Sequence, residues 1–90
     1  MYNLENFTID NFFWPIIKSK TFQNIPNLKI LDLKFNNIYK GMEADAFYNL
    51  AQLEDLDLSS CEIMQLNLNA FNGLPNLKKL NFWGNNLEVL

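Results

Sequence analysis

Residues 28–38 read LKILDLKFNNI, and the same order of residue types returns in LEDLDLSSCEI at 53–63 and LKKLNFWGNNL at 77–87. Leu4, Leu28, Leu53 and Leu77 head four copies of this pattern, spaced 24, 25 and 24 residues apart. A period of this size marks a solenoid, in which one short unit is stacked on copies of itself. Such a unit cannot cover its own apolar side, so each copy supplies the missing partner of the next. The functional question then shifts from an enclosed pocket to an exposed surface.

Working outward from residues 28–38, the first copy is disguised but in register. Leu4, Phe7, Ile9, Phe12, Trp14 and Ile17 precede Leu28, Leu31, Leu33, Asn36, Ile38 and Gly41 by 24 residues. The third copy places Leu53, Leu56, Leu58, Cys61, Ile63 and Leu66 in these columns, and the fourth Leu77, Leu80, Phe82, Asn85, Leu87 and Leu90. Apart from the Asn36 column the positions are apolar almost throughout, so they are expected to face inward, Trp14 among them. Gly41 breaks the sixth column where the second copy is one residue longer. This predicts a backbone bulge, with Met42 filling the vacated space. Short strands are expected at 7–9, 31–33, 56–58 and 80–82, with alternate side chains turned inward. All copies run the same way, so these strands must be parallel.

A second set of columns aligns Phe22, Phe47 and Phe71, and Ile25, Leu50 and Leu74. Three-residue spacing suits a short helical turn on the outer side, with the rings stacked behind the sheet. Pro26 and Pro75 suit the end of that turn, because proline fixes its own φ and donates no hydrogen bond. In the polar column, an inward Asn36 or Asn85 can bond backbone groups that the turn leaves open. Leaving such a group unsatisfied costs about 1–3 kcal/mol. Cys61 fits the same slot as a small buried group with a weak donor. Phe12 donates nothing from its side chain, which marks the first copy as degenerate or close to an end of an array.

Composition narrows the class. The apolar share is 49%, too high for a disordered chain, and the apolar runs are too short to span a membrane. Seven basic against ten acidic residues give a net charge of -3, which disfavours a nucleic-acid backbone as partner. Cys61 is the single cysteine, so neither an internal disulfide nor a cysteine metal cluster is expected, and no cofactor is implied. Met1-Tyr2-Asn3-Leu4-Glu5 lacks the basic and apolar regions of a signal peptide. The repeats are bounded as 4–27, 28–52, 53–76 and a partial 77–90. The fourth stops before any phenylalanine segment and neither terminus carries a polar cap, a pattern expected of a segment from a longer solenoid.

The pattern LxxLxLxxNxL followed by AFxxLxxL resembles the typical class of leucine-rich repeats. LKILDLKFNNI carries it in the second copy, and AFYNLAQL and AFNGLPNL lead into the third and fourth. The form is similar to the ectodomains of Toll-like and insect Toll receptors, and the likeness covers residues 4–90. It implies an α/β leucine-rich repeat solenoid: a curved array with a parallel sheet on the concave face and short helical turns and loops on the convex face. It also implies a non-enzymatic recognition scaffold, an extracellular or cell-surface setting, a protein ligand or co-receptor, and a homodimer of the full-length parent. An intracellular or bacterial repeat adaptor is the alternative. The chain departs from the pattern at Phe12, Gly41 and Cys61, and lacks the cysteine-rich caps common in extracellular members.

The residues between the apolar columns define the candidate surface. Asn6, Ile30, Asp55 and Lys79 form one column, Thr8, Asp32, Asp57 and Asn81 the next, and Asp10, Lys34, Ser59 and Trp83 a third. Parallel strands lie about 4.8 Å apart, so Asp32 and Asp57 are expected as neighbours with Asp55 one ridge away. Paired carboxylates suit acid–base work or cation binding. An open surface with no histidine and no activated nucleophile points instead to a solvated acidic strip or a contact for a basic partner. Trp83 is the leading contact candidate, since aromatic anchors are enriched among binding hot spots, and Phe35 is a second. Asn6-Phe7-Thr8 is an N-glycosylation sequon, with Asn6 outward by register. Cys61 reads as buried filler, since nothing nearby lowers its pKa.

Overall fold

A computed structural model describes residues 4–87. Four three-residue strands, β1 (Asn6–Thr8), β2 (Ile30–Asp32), β3 (Asp55–Asp57) and β4 (Lys79–Asn81), form one sheet in chain order. Every neighbouring pair is parallel, in the register Asn6–Ile30–Asp55–Lys79, Phe7–Leu31–Leu56–Leu80 and Thr8–Asp32–Asp57–Asn81. This is the leucine-rich repeat solenoid.

The strands begin and end one residue earlier than the LxL pattern suggests, and the hydrogen bonds show why. At the entry, the Glu5 carbonyl accepts from both Lys29 N (2.7 Å) and Ile30 N (3.0 Å), the Lys29 carbonyl from Glu54 N and Asp55 N, and the Glu54 carbonyl from Lys78 N and Lys79 N. The residue before the first inward leucine is thereby drawn into the ladder. At the exit, Leu33 N still donates to the Asp57 carbonyl at 2.9 Å. Its own carbonyl leaves the sheet and accepts instead from Asn36 Nδ2 at 2.7 Å and Cys61 Sγ at 3.0 Å.

The core is densest in the two middle repeats. Leu28, Leu31, Leu33, Ile38, Leu53, Leu56, Leu58 and Ile63 are fully buried. Full burial of such a side chain contributes about 1.5–3 kcal/mol. Phe7, Ile9, Trp14, Leu77 and Phe82 are half-buried and pack against that core, because each has a neighbouring repeat on one side only among the described residues. Trp14 is therefore a partly covered flank of the core rather than its centre. Phe12 departs furthest from its column. It is 51% exposed and sets its ring edge-on to Trp14 at 6.3 Å, since a phenyl ring can neither fit nor satisfy the polar asparagine slot.

Behind the sheet the phenylalanine column forms as a stack. Phe22 and Phe47 lie 6.0 Å apart with 5° between planes, and Phe47 and Phe71 5.7 Å apart with 17°. Trp14 closes one end edge-on and Phe82 the other. The expected helical turn is a 3-10 helix only in the third repeat, η1 (Leu68–Phe71), where the Asn67 side chain accepts from Asn69 N at 3.0 Å. Lys20 and Asp45 take a positive φ at the start of the matching segments in the first two repeats, and these stay as turns.

The bulge after Gly41 forms as the sequence predicts. Met42, not Gly41, pairs with Ile17 in a parallel bridge and is 3% exposed. Gly41 adopts φ +78, and a Cβ there would lie 2.4 Å from the Gln65 carbonyl oxygen. The close approach of two backbones fixes glycine at this position.

Candidate interaction surface

The sheet's outward face carries the expected columns of side chains except for Ser59, which is buried, and the middle column has a structural duty as well. Asp57 Oδ1 accepts from Ser59 N at 2.9 Å and Ser59 Oγ at 2.7 Å. Asp32 Oδ1 accepts from Lys34 N at 3.2 Å, and Asn81 Oδ1 from Trp83 N at 2.9 Å. Each is an Asx-type turn, in which a short side chain bonds the backbone two residues on. The sequence signal for these caps is the shared position of Asp32, Asp57 and Asn81, each a short side chain with a terminal oxygen. These turns put Phe35, Ser60 and Gly84 at positive φ, and Asn11 takes the same conformation at the equivalent place in the first repeat.

Asp32 and Asp57 sit side by side by register and Asp55 lies on the adjacent column. All three are half-exposed. Lys34 Nζ stands 3.2 Å from Asp32 Oδ2, and the hydrogen bond and charge of Asp32 raise the Lys34 pKa above its ordinary 10.5. The strip is thus acidic but partly neutralised. At the entry side Glu5, Lys29, Glu54 and Lys78 alternate in sign, with Lys29–Glu5 at 3.7 Å and Lys78–Glu54 at 3.8 Å. Exposed pairs of this kind contribute little to stability. Among the described residues no three His, Cys, Asp or Glu side chains are grouped to hold a metal ion.

Trp83 is 78% exposed and Phe35 56%. Phe35 holds φ +64, a conformation that costs an L-residue about 1–2 kcal/mol, and its ring gains little burial in return. A second apolar strip, absent from the sequence reading, runs along the flank. Phe13, 63% exposed, stacks on Tyr39 at 6.2 Å; Lys40 Nζ lies over the Tyr39 ring at 5.8 Å, and Met64 follows in the next repeat. Phe7, Ile9, Phe12, Trp14, Phe22 and Ile25 line an open apolar recess of about 290 Å³ at the first repeat.

Beneath this surface the polar column ties the repeats together. Asn36 Nδ2 donates to the carbonyls of Ile9 and Leu33, both at 2.7 Å, and its Oδ1 accepts from Phe12 N at 2.9 Å. Asn85 Nδ2 donates to Leu58 and Phe82, and its Oδ1 accepts from Cys61 N and Ile63 N, both at 3.0 Å. Cys61 Sγ donates to the Leu33 carbonyl, the counterpart of the Ile9 and Leu58 carbonyls that the two asparagines reach. Burial raises the Cys61 pKa from its ordinary 9.0, so the thiol keeps the proton that this bond needs.

The repeat columns, the parallel register and this ladder agree with a family model described as leucine rich repeat, which matches residues 3–63. This chain belongs to the leucine-rich repeat family. It is similar to CD180 antigen of Homo sapiens, at 33% identity over 80% of this chain and 11% of that protein. It is also similar to osteomodulin of Bos taurus, at 38% identity over 79% of this chain and 17% of the relative, and to the thyrotropin receptor of Sus scrofa, at 27% over 81% and 10%. This leucine-rich repeat chain thus spans a tenth to a sixth of the length of these relatives. With these likenesses, the resemblance to Toll-like ectodomains stands, and the fold's role is that of a protein-interaction scaffold. No helix among the described residues is long and apolar enough to cross a membrane.

Proposed function

We propose that this chain is a recognition segment of an extracellular receptor of innate-immune type, and that the outward face of its sheet contacts a protein ligand or co-receptor. The observation that carries the reading is the pairing of a half-exposed acidic column, Asp32 and Asp57, with two outward aromatics, Phe35 and Trp83. A strained, uncovered phenylalanine and an uncovered tryptophan are costly on a free surface, and aromatic anchors supply much of the energy at protein interfaces. The acidic column gives such a partner a basic patch to match, which governs encounter rate and specificity more than affinity. The likeness to CD180 antigen and to the thyrotropin receptor supports placing the chain outside the cell.

The role is binding rather than catalysis. Asp32 and Asp57 each commit an oxygen to their own turn, which suits a fixed scaffold better than a proton-transfer pair. Charge reversal at these positions would break the turns as well as the charge. The discriminating variant is therefore Asp32→Asn with Asp57→Asn, since Asn81 already makes the same cap. Weaker capture of a basic protein partner by this double variant, with unchanged thermal unfolding, is the expected result. Equal capture by the double variant and by Trp83→Ala would refute the assignment of this face.

A further inference from the structure

We propose that Asn6 carries an N-linked glycan, which covers the β1 edge of the sheet and the adjacent Ile30 and leaves Asp32, Phe35 and the β3–β4 side open for the partner. The proposal rests on the extracellular reading above. The chain holds one sequon, Asn6-Phe7-Thr8, and it coincides with β1. Alternation along the strand turns Phe7 inward and leaves Asn6 and Thr8 both exposed on the outward face. Four asparagines outside the strands are engaged in the fold: the Nδ2 atoms of Asn36, Asn49, Asn76 and Asn85 all donate to backbone carbonyls. Among the described residues the Asn6 side-chain amide has no hydrogen-bond partner, so its modification breaks nothing in the fold.

The register supplies a second observation. Ile30 is the Cα partner of Asn6 and is 42% exposed in a column whose other members, Asn6, Asp55 and Lys79, are polar. An exposed isoleucine on a sheet face is an adhesion liability, and a bulky, solubilising sugar on the adjacent strand shields it. In the transfer, Asn6 Nδ2 attacks the anomeric carbon of a lipid-diphosphate-linked oligosaccharide in the secretory pathway. The Nδ2–C1 bond forms and the C1–O bond to the diphosphate breaks. The diphosphate leaves with the bonding pair, and Nδ2 gives up a proton. Asp32 and Phe35, on and after β2, with Asp57 and Trp83, on and beside β3 and β4, then form the uncovered part of the face.

The test is the intact mass of the full chain secreted from eukaryotic cells behind an added signal peptide, before and after N-glycosidase. A glycosidase-sensitive increment, with asparagine converted to aspartate at residue 6, is expected. Thr8→Ser should keep the increment, while Thr8→Ala and Asn6→Gln should each lose it. A folded, secreted chain with unmodified Asn6 would overturn the proposal, while leaving the binding test with the asparagine variants of Asp32 and Asp57 intact. Glycosidase treatment should also raise binding of an apolar fluorescent dye in the parent chain and not in an Ile30→Thr variant. Equal dye binding before and after treatment would overturn the shielding of Ile30.

Discussion

Replacing Gly41 by alanine should destabilise the solenoid by about 3 kcal/mol, from two separable causes. Gly41 holds φ +78, where a Cβ costs about 1–2 kcal/mol. The new methyl would also stand 2.4 Å from the Gln65 carbonyl oxygen. That oxygen belongs to the backbone of the next repeat, so relief requires moving one turn against another, an overpacking cost of about 1–3 kcal/mol. Loss of unfolded-state freedom offsets about 0.4–1 kcal/mol of this. Gly73 provides the internal control, with φ +79 and nothing within 4 Å of a Cβ. Gly73→Ala should therefore show the dihedral cost alone, a net of about 0.5–1 kcal/mol. Urea unfolding followed by circular dichroism measures both, and with a slope of about 1–3 kcal/mol per molar the two midpoints should separate clearly. Equal losses in the two variants, within about 0.5 kcal/mol, would refute the close approach of the Gly41 and Gln65 backbones and with it the bulge.

Asn36→Leu should cost about 2–4 kcal/mol, because Phe12 N and the Ile9 carbonyl lose their partner while Leu33 keeps only the Cys61 thiol; a calorimetric loss under about 1 kcal/mol would show that the ladder is dispensable. Leu56→Ala, at a fully buried position, should cost about 2–5 kcal/mol, and a change below about 0.5 kcal/mol in the same unfolding assay would contradict its place in the core. For Cys61 the folded pKa lies above the ordinary 9.0, so the unfolded thiol ionises first. Stability should then fall as pH rises past 9.0, and Cys61→Ala should flatten that part of the profile relative to the parent chain. Iodoacetamide should label Cys61, fully buried in the fold, only at the rate of opening; fast labelling of native chain would place the thiol at the surface.

Periodicity alone determined the parallel register, the inward leucine columns of the two middle repeats, the stacked phenylalanines and the replacement of Gly41 by Met42, whereas Leu80 and Leu87 of the fourth repeat stay exposed. Those features follow from the requirement that each apolar column meet its copy one period away, a constraint written directly into residue spacing. Tertiary structure decided what spacing could not. The strands start one residue early because single carbonyls at the entry each accept two amides, and β2 ends at Asp32 because the Leu33 carbonyl takes two side-chain donors in the turn, one of them from the next repeat. Phe12 left its column because its alignment partner Asn36 answers a hydrogen-bonding need and not a volume. Asp32 and Asp57, conspicuous in the sequence for charge, proved to be turn caps, a role visible only once their oxygens lie within bonding distance of Lys34 N and Ser59 N. The flank of Phe13, Tyr39 and Met64 was illegible for a related reason: those residues come from the irregular return of three different repeats, and only stacking brings them onto one surface.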